Sequence, residues 1–119
     1  MSPNIIVINK WHGGLPNLYQ NLNDKVIYHI MKSEGSILGN TNYNSKDMTL
    51  TENLAAYDKW LWEEVKAQGE VYNLLCSMVS KFNKGKSIYL VCVCKPKPCH
   101  GDSVAKCLIW MLQKQICVG

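Results

Sequence analysis

Apolar and polar positions follow two rhythms along this chain, and the switches between them mark its elements. Asn4 to Asn9 reads Asn-Ile-Ile-Val-Ile-Asn, a β-branched run apolar on both faces. That pattern predicts a buried parallel strand rather than a half-exposed one. Lys10, Trp11, His12, Gly13 and Gly14 follow as a loop. Val26 to Met31 predicts a second, weaker strand. Ser33 to Asp47 is rich in Gly, Asn and Ser, carries Leu38-Gly39-Asn40, and reads as loop.

The rhythm then becomes helical. Thr49 or Thr51 can cap, and Thr49 has Glu52 three residues on as a capping-box partner. Leu54, Tyr57, Leu61 and Val65 form an apolar stripe that Gly69 interrupts. Val71, Leu74, Leu75, Met78, Val79 and Phe82 form a cleaner one. Asn83-Lys84-Gly85-Lys86 supplies lysines at the negative end of the dipole and a glycine stop. Ile88 to Val93 predicts another strand, again apolar on both faces. The last helix runs over Ser103 to Gln115, with Val104, Cys107, Leu108, Met111 and Leu112 as its stripe.

Strand, loops, helices, strand, helix: this order predicts one small α/β layered domain over residues 1–119, its partly parallel sheet flanked by helices. Ligands of such sheets bind beyond the carboxyl ends of the strands. Two loops qualify, Asn9 to Gly14 after the first strand and Cys94 to Asp102 after the late one.

Composition narrows the functional classes. No run approaches the ~20 apolar residues of a membrane span, and Met-Ser-Pro-Asn lacks the pattern of a secretory signal. Six cysteines raise the question of disulfides. However, Cys76 and Cys107 sit in helical apolar patterns, so free thiols and a cytoplasmic setting are expected. The net charge is +4, with thirteen basic residues, all of them lysine. Without an arginine fork, sequence-specific nucleic-acid reading is not expected. Lysine still attracts a small anion. Lysine together with abundant Asn, Ile and Tyr also fits AT-rich coding.

The densest chemistry lies in Cys92-Val-Cys-Lys-Pro-Lys-Pro-Cys-His-Gly-Asp102. Four soft groups, Cys92, Cys94, Cys99 and His100, suggest a metal, but geometry argues against one. Cys92 and Cys94 lie two apart on a strand, with Cα atoms ~6.6 Å apart, whereas tetrahedral zinc needs sulfurs ~3.8 Å apart. Cys92 reads as strand core, and neither metal nor cofactor is expected. Cys99 lies just before a helix starting around Gly101 to Ser103, where the dipole, Lys95 and Lys97 favour its thiolate. His12 or His29 can serve as its base from across the crevice, since the ring of His100, adjacent in sequence, can point away from the sulfur. Asp102 or Ser103 can be the N-cap. Gly101 lets a ligand approach the backbone, and the helix N-terminus offers an anion site. Trp11 and His12 either stack on a base or sugar or pack within their loop. Trp60, Trp62 and Trp110 read as helix core or an oligomer contact, and Tyr57 as core.

Leu38-Gly39-Asn40, Ala55-Ala56-Tyr57-Asp58-Lys59-Trp60-Leu61 and Leu90 to Asp102 together resemble a phage and bacterial family. That family, number 4326, is named only as a domain of unknown function. Its pattern is a Leu-Gly-Asn-Pro loop, an Ala-x-x-x-Tyr-x-x-Trp-Leu helix and a Cys-x-Cys-x-Pro-x-x-Cys-His-Gly-Asp turn. This chain departs at Thr41, in place of proline, and lacks the arginine-bearing stretch before the Leu-Gly-Asn loop. If that arginine holds an anion in relatives, this chain binds a different ligand or binds it differently. The resemblance implies a Rossmann-like fold and a turn like those of nucleotide-handling folds.

Two main functions follow as expectations. One is sequestration of a small anionic nucleotide-derived ligand, such as an ADP-ribose-like or cyclic-nucleotide signal, in phage counter-defence. Its contacts would be Asn9, Lys10, Trp11, His12, Gly39, Asn40, Cys94, Lys95, Lys97, Cys99, His100, Gly101, Asp102 and Ser103. The alternative is a cysteine-dependent enzyme cleaving or transferring a nucleotide or glycosyl group, with Cys99, His100 and His12 as catalytic candidates. A Cys/His metal protein is the third. A homo-oligomer fits exposed tryptophans.

Overall fold

The computed structural model describes residues 4–9, 23–31, 35–40, 48–92 and 100–116. Its sheet has three strands: β1 (Ile5–Asn9), β2 (Lys25–His29) and β3 (Ser87–Cys92), in the order β1-β3-β2. Both pairings are parallel. Ile5 lies opposite Ile88 and Asn9 opposite Cys92, while His29 lies opposite Val91. The Ile88 N–H donates to the Asn4 carbonyl at 2.8 Å and the Ser87 N–H to that of Asp24 at 2.9 Å. These bonds fix the register at the amino end.

β3 is the central strand, and Ile88, Leu90, Val91 and Cys92 are fully buried. β1 is less buried than its sequence predicts, since Ile5 to Ile8 are only partly covered. The reason is position: β1 lies at the edge of the described sheet. An apolar run records what a strand can bury, not how many neighbours it gains.

Three helices follow: α1 (Leu50–Ala67), α2 (Glu70–Asn83) and α3 (His100–Gln113). They share one core cluster with Ile88, Leu90 and Cys92 of β3, against which Ile5, Val7, Val26 and Tyr28 also pack. Side chains alternate along a strand, so all three helices lie on the same side of the sheet, α2 and α3 against it and α1 packed on those two helices. Lys81 of α2 donates to the Tyr28 hydroxyl at 3.0 Å, tying that helix to β2. No described helix is long and apolar enough to cross a membrane.

The helix ends follow their local chemistry. Thr49 caps α1 in a full capping box: its hydroxyl accepts the Glu52 N–H at 3.1 Å, and Glu52 accepts the Thr49 N–H at 3.2 Å. Thr49→Ala should therefore lower stability by about 1 kcal/mol, read as a lower denaturation midpoint at unchanged slope. Gln68 ends α1 in the left-handed region, with φ 55°, and Gly69 starts α2. Gly85, at φ 94°, turns the chain from α2 into β3.

Two expectations need correction. The buried row of α1 is Asn53, Tyr57, Leu61 and Val65, with Asn53 where the apolar stripe led to Leu54, which is only half-buried. Cys76 is disulfide-bonded, not a free thiol. It sits at the half-buried margin of α2, from which its sulfur can reach another segment. Cys92 and Cys107 form no disulfide, so its partner lies outside the described residues.

Candidate functional site

The carboxyl end of the sheet is built from segments far apart in sequence. β1 ends at Asn9 beside Cys92 of β3. α3 begins at the same end. Its first residue, His100, is buried, and Nε2 lies 2.8 Å from the Ile30 carbonyl. A carbonyl only accepts, so Nε2 carries the proton and Nδ1 is the acceptor nitrogen. The Ile30 N–H in turn donates to the Val91 carbonyl at 3.1 Å. One residue just past β2 thus links the central strand to the start of α3.

Gly101 completes the seat. A Cβ at this position would stand 2.8 Å from Cγ1 of Val7 and 3.1 Å from Cδ1 of Ile30. The space beside this glycine is filled by β1 and the end of β2, so its missing side chain serves helix–sheet packing rather than ligand approach. Helix α3 includes His100, Asp102 and Ser103. It therefore starts earlier than its sequence pattern suggests, and neither Asp102 nor Ser103 is an N-cap. Asp102 is exposed and Ser103 half-buried in its first turns.

α1 holds the other wall. The Tyr57 hydroxyl donates to the Leu38 carbonyl at 2.6 Å, and its ring meets the His100 imidazole edge-on, 5.1 Å between centroids. One turn earlier on the same face, Asn53 accepts a hydrogen bond from the Asn40 side-chain amide. Both asparagines are buried. Residues four apart on a helix stack above one another; Asn53 and Tyr57 therefore grip both ends of Leu38-Gly39-Asn40. Ser36 tightens that loop, its Oγ accepting the Leu38 N–H at 3.1 Å and its carbonyl the Gly39 N–H at 3.0 Å.

Tyr57 thus joins the described parts of the three stretches that carry the family resemblance, by its bond to Leu38 and its ring contact with His100, while Asn53 and Ile30, outside those stretches, hold Asn40 and His100. Gly39, Asn40, His100 and Gly101 are buried and form the support of the site. Asn9, also buried, stands at its edge. Lys10, Trp11, His12, Cys94, Lys95, Lys97 and Cys99 lie outside the described residues. His29 belongs to the opposite face of the sheet, because Tyr28 and Ile30 on either side of it join the helix-side core. Asn53 and the Ile30 carbonyl were not legible as site components. The one signal for Asn53 was a polar residue four positions before Tyr57 in a buried row.

Burial sets the ionisation here. Desolvation pushes the His100 pKa down, outweighing its bond to Ile30 and the nearby Asp102 carboxylate. His100 is therefore neutral near pH 7. Burial, helped by Asp58, pushes the Cys107 thiol up to about 11, which makes it inert core. Cys92 is a fully buried core residue that forms no disulfide. Among the described residues no group of three or more His, Cys, Asp or Glu side chains could hold a metal.

A groove of about 420 Å³ runs along α3, lined by Trp62, Asp102, Lys106, Ile109 and Trp110 among others, so Asp102 borders both this groove and the start of the helix. Trp62 and Trp110 meet edge-on at 5.1 Å. Trp60 and Trp62 are half-buried and pack against the core.

This is a small α/β layered protein with a parallel sheet whose carboxyl end is closed by a helix start and a hydrogen-bonded loop. The chain belongs to the family described as Domain of unknown function (DUF4326), whose model matches residues 17–110. That stretch takes in the loop, α1 and the start of α3, but not β1 or Lys10 to Gly14. No curated protein and no solved structure matches the chain.

Proposed function

We propose that the carboxyl end of the sheet binds a small anionic ligand derived from a nucleotide, such as an ADP-ribose-like or cyclic-nucleotide signal, and sequesters it. The observation that carries this reading is the parallel pairing of Asn9 with Cys92. From these two paired strand ends the sequence runs on into Lys10, Trp11 and His12 and towards Lys95, Lys97 and Cys99. In parallel α/β sheets that is where ligands bind. Asp102, exposed in the first turn of α3, opposes an anion at the helix dipole. The lysines are therefore the cationic side of the site, and the tryptophan its stacking surface.

Binding is preferred over turnover because two of the three histidines are unsuited to serve Cys99. His100 is buried beneath the Tyr57 ring, with its imidazole held to the Ile30 carbonyl, and His29 belongs to the other face of the sheet. In a phage-infected host, sequestering a nucleotide signal in the cytosol would blunt the defence it triggers. Isothermal titration of the purified protein against ADP-ribose and a panel of cyclic nucleotides tests the reading. Heat with one member, and recovery of that nucleotide intact, is the expected result. No heat with any member at micromolar protein rules out sequestration, and an altered nucleotide supports the cysteine enzyme instead.

A further inference from the structure

Helix α3 carries two stripes. Val104, Cys107, Leu108 and Met111 are buried in the shared core. The second stripe, Asp102, Ala105, Lys106, Ile109, Trp110 and Gln113, recurs at helical spacing and lines the groove of about 420 Å³. Asp102, Lys106, Ile109 and Gln113 are exposed along it. Trp62 of α1 forms the other wall and meets Trp110 edge-on. The core makes no use of Ile109, a large apolar side chain left 47% exposed beside two tryptophan rings. Apolar surface of this kind, rimmed by polar residues, marks an interaction site.

We propose that the occupant of this groove is a second copy of the chain, its α3 laid head to tail along the first in a two-fold dimer. Reversed end for end, the stripe sets Asp102 opposite Gln113, Ala105 opposite Trp110 and Lys106 opposite Ile109. Any stripe of this spacing is symmetric in position; here the residues match as well. The small Ala105 leaves room for the partner's Trp110. The Lys106 stem lies along the partner's Ile109 while its ammonium stays in water. Asp102 meets the neutral amide of the partner's Gln113, so no like charges face one another.

The same-direction pairing is the poorer one. It would set Asp102 against the partner's Asp102, Lys106 against the partner's Lys106 and Trp110 against the partner's Trp110. Like charges so placed are costly, whereas antiparallel helices also oppose their dipoles favourably. The closed, isologous contact leaves no free copy of the stripe for further growth, so assembly stops at two. The stripe covers about three turns, less than the ~800 Å² per partner of a standard interface requires. The dimer therefore forms in the micromolar rather than the nanomolar range. It is independent of ligand binding at the end of the sheet, and its test needs no ligand.

Sedimentation velocity over a concentration series tests the pairing. The natural protein should move from 13.5 kDa towards twice that mass as its concentration rises through the micromolar range. Ile109→Lys sets a lysine against the partner's Lys106 and should raise the dimer dissociation constant by at least about tenfold. Ile109→Glu sets a carboxylate against the same lysine and should dimerise more tightly than Ile109→Lys. The double variant Lys106→Glu/Ile109→Lys restores opposite charges and should recover the dimer. Both positions are exposed, so the variants should keep the natural far-ultraviolet circular dichroism spectrum. A natural protein of one-chain mass at every concentration overturns the proposal, as does a dimer that Ile109→Lys leaves intact. Equal losses in Ile109→Lys and Ile109→Glu, without recovery in the double variant, overturn the head-to-tail register. If the charged variants do not fold, Ile109→Ala takes their place, and a dimer it leaves unchanged overturns the pairing.

Discussion

Tyr57→Ala will lower the unfolding free energy by about 3–5 kcal/mol, a large share of the roughly 5–15 kcal/mol available to a domain. Two losses combine. The ring is 2% exposed and fills the space between Trp60, 5.5 Å away, and His100; its removal leaves a cavity lined by groups from α1 and α3. The hydroxyl is the donor to the buried Leu38 carbonyl, which then has no replacement. Tyr57→Phe separates the two effects, since it keeps the ring and removes only the donor. An unsatisfied buried acceptor costs about 1–3 kcal/mol, so Tyr57→Phe should recover half or more of the alanine loss. Urea denaturation of both variants checks this. A Tyr57→Phe protein as stable as the natural one would mean that the Leu38 bond contributes nothing.

Gly101→Val is the second large effect, and Gly101→Ala decides its cause. In an exposed helix alanine would be favoured over glycine by about 1 kcal/mol. Here the added Cβ falls 2.8 Å from one methyl of Val7 and 3.6 Å from the other. The Ile30 end group can rotate aside, but a β-branched valine on a strand has little rotamer freedom. Helix and strand must then move apart, at about 1–3 kcal/mol. Overpacking therefore outweighs propensity, and Gly101→Ala should destabilise. The valine variant, with two more methyls to place, should lose more. Val7→Ala removes the clashing methyls, so the double variant Val7→Ala/Gly101→Ala should be more stable than the sum of the single losses allows. A coupling above about 0.5 kcal/mol in that cycle supports direct contact; strict additivity contradicts it.

Local chemistry made much of the fold readable in advance. The Thr49–Glu52 box, the breaks at Gly69 and Gly85 and the stripe of α2 depend on residues close in sequence, and each is found. Burial was less readable, because it depends on neighbours: β1 and β3 have similar apolar runs, yet only the central one is fully covered. The site was readable as a place but not as a set of roles. His100 and Gly101 lie in the segment the sequence singled out, and their partners, Ile30 and Val7, are separated from them by most of the chain. No spacing rule connects position 100 to a carbonyl at position 30. The same limit applied to Asn53, whose partner Asn40 lies across a loop, and to the disulfide at Cys76, which an apolar helical pattern does not announce.

These contacts give the family motifs a physical meaning. The tyrosine of α1 joins the Leu-Gly-Asn loop to the histidine-glycine pair of α3, and together they frame the carboxyl end of the described sheet. The measurement that tests this most directly is an amide chemical-shift map of the protein titrated with ADP-ribose and with each cyclic nucleotide. The account predicts that a binding member shifts Asn9, Cys92 and His100 to Ser103, with α2 from Glu70 to Asn83 unmoved. No perturbation by any member, or perturbation confined to the Trp62–Trp110 groove, would contradict it.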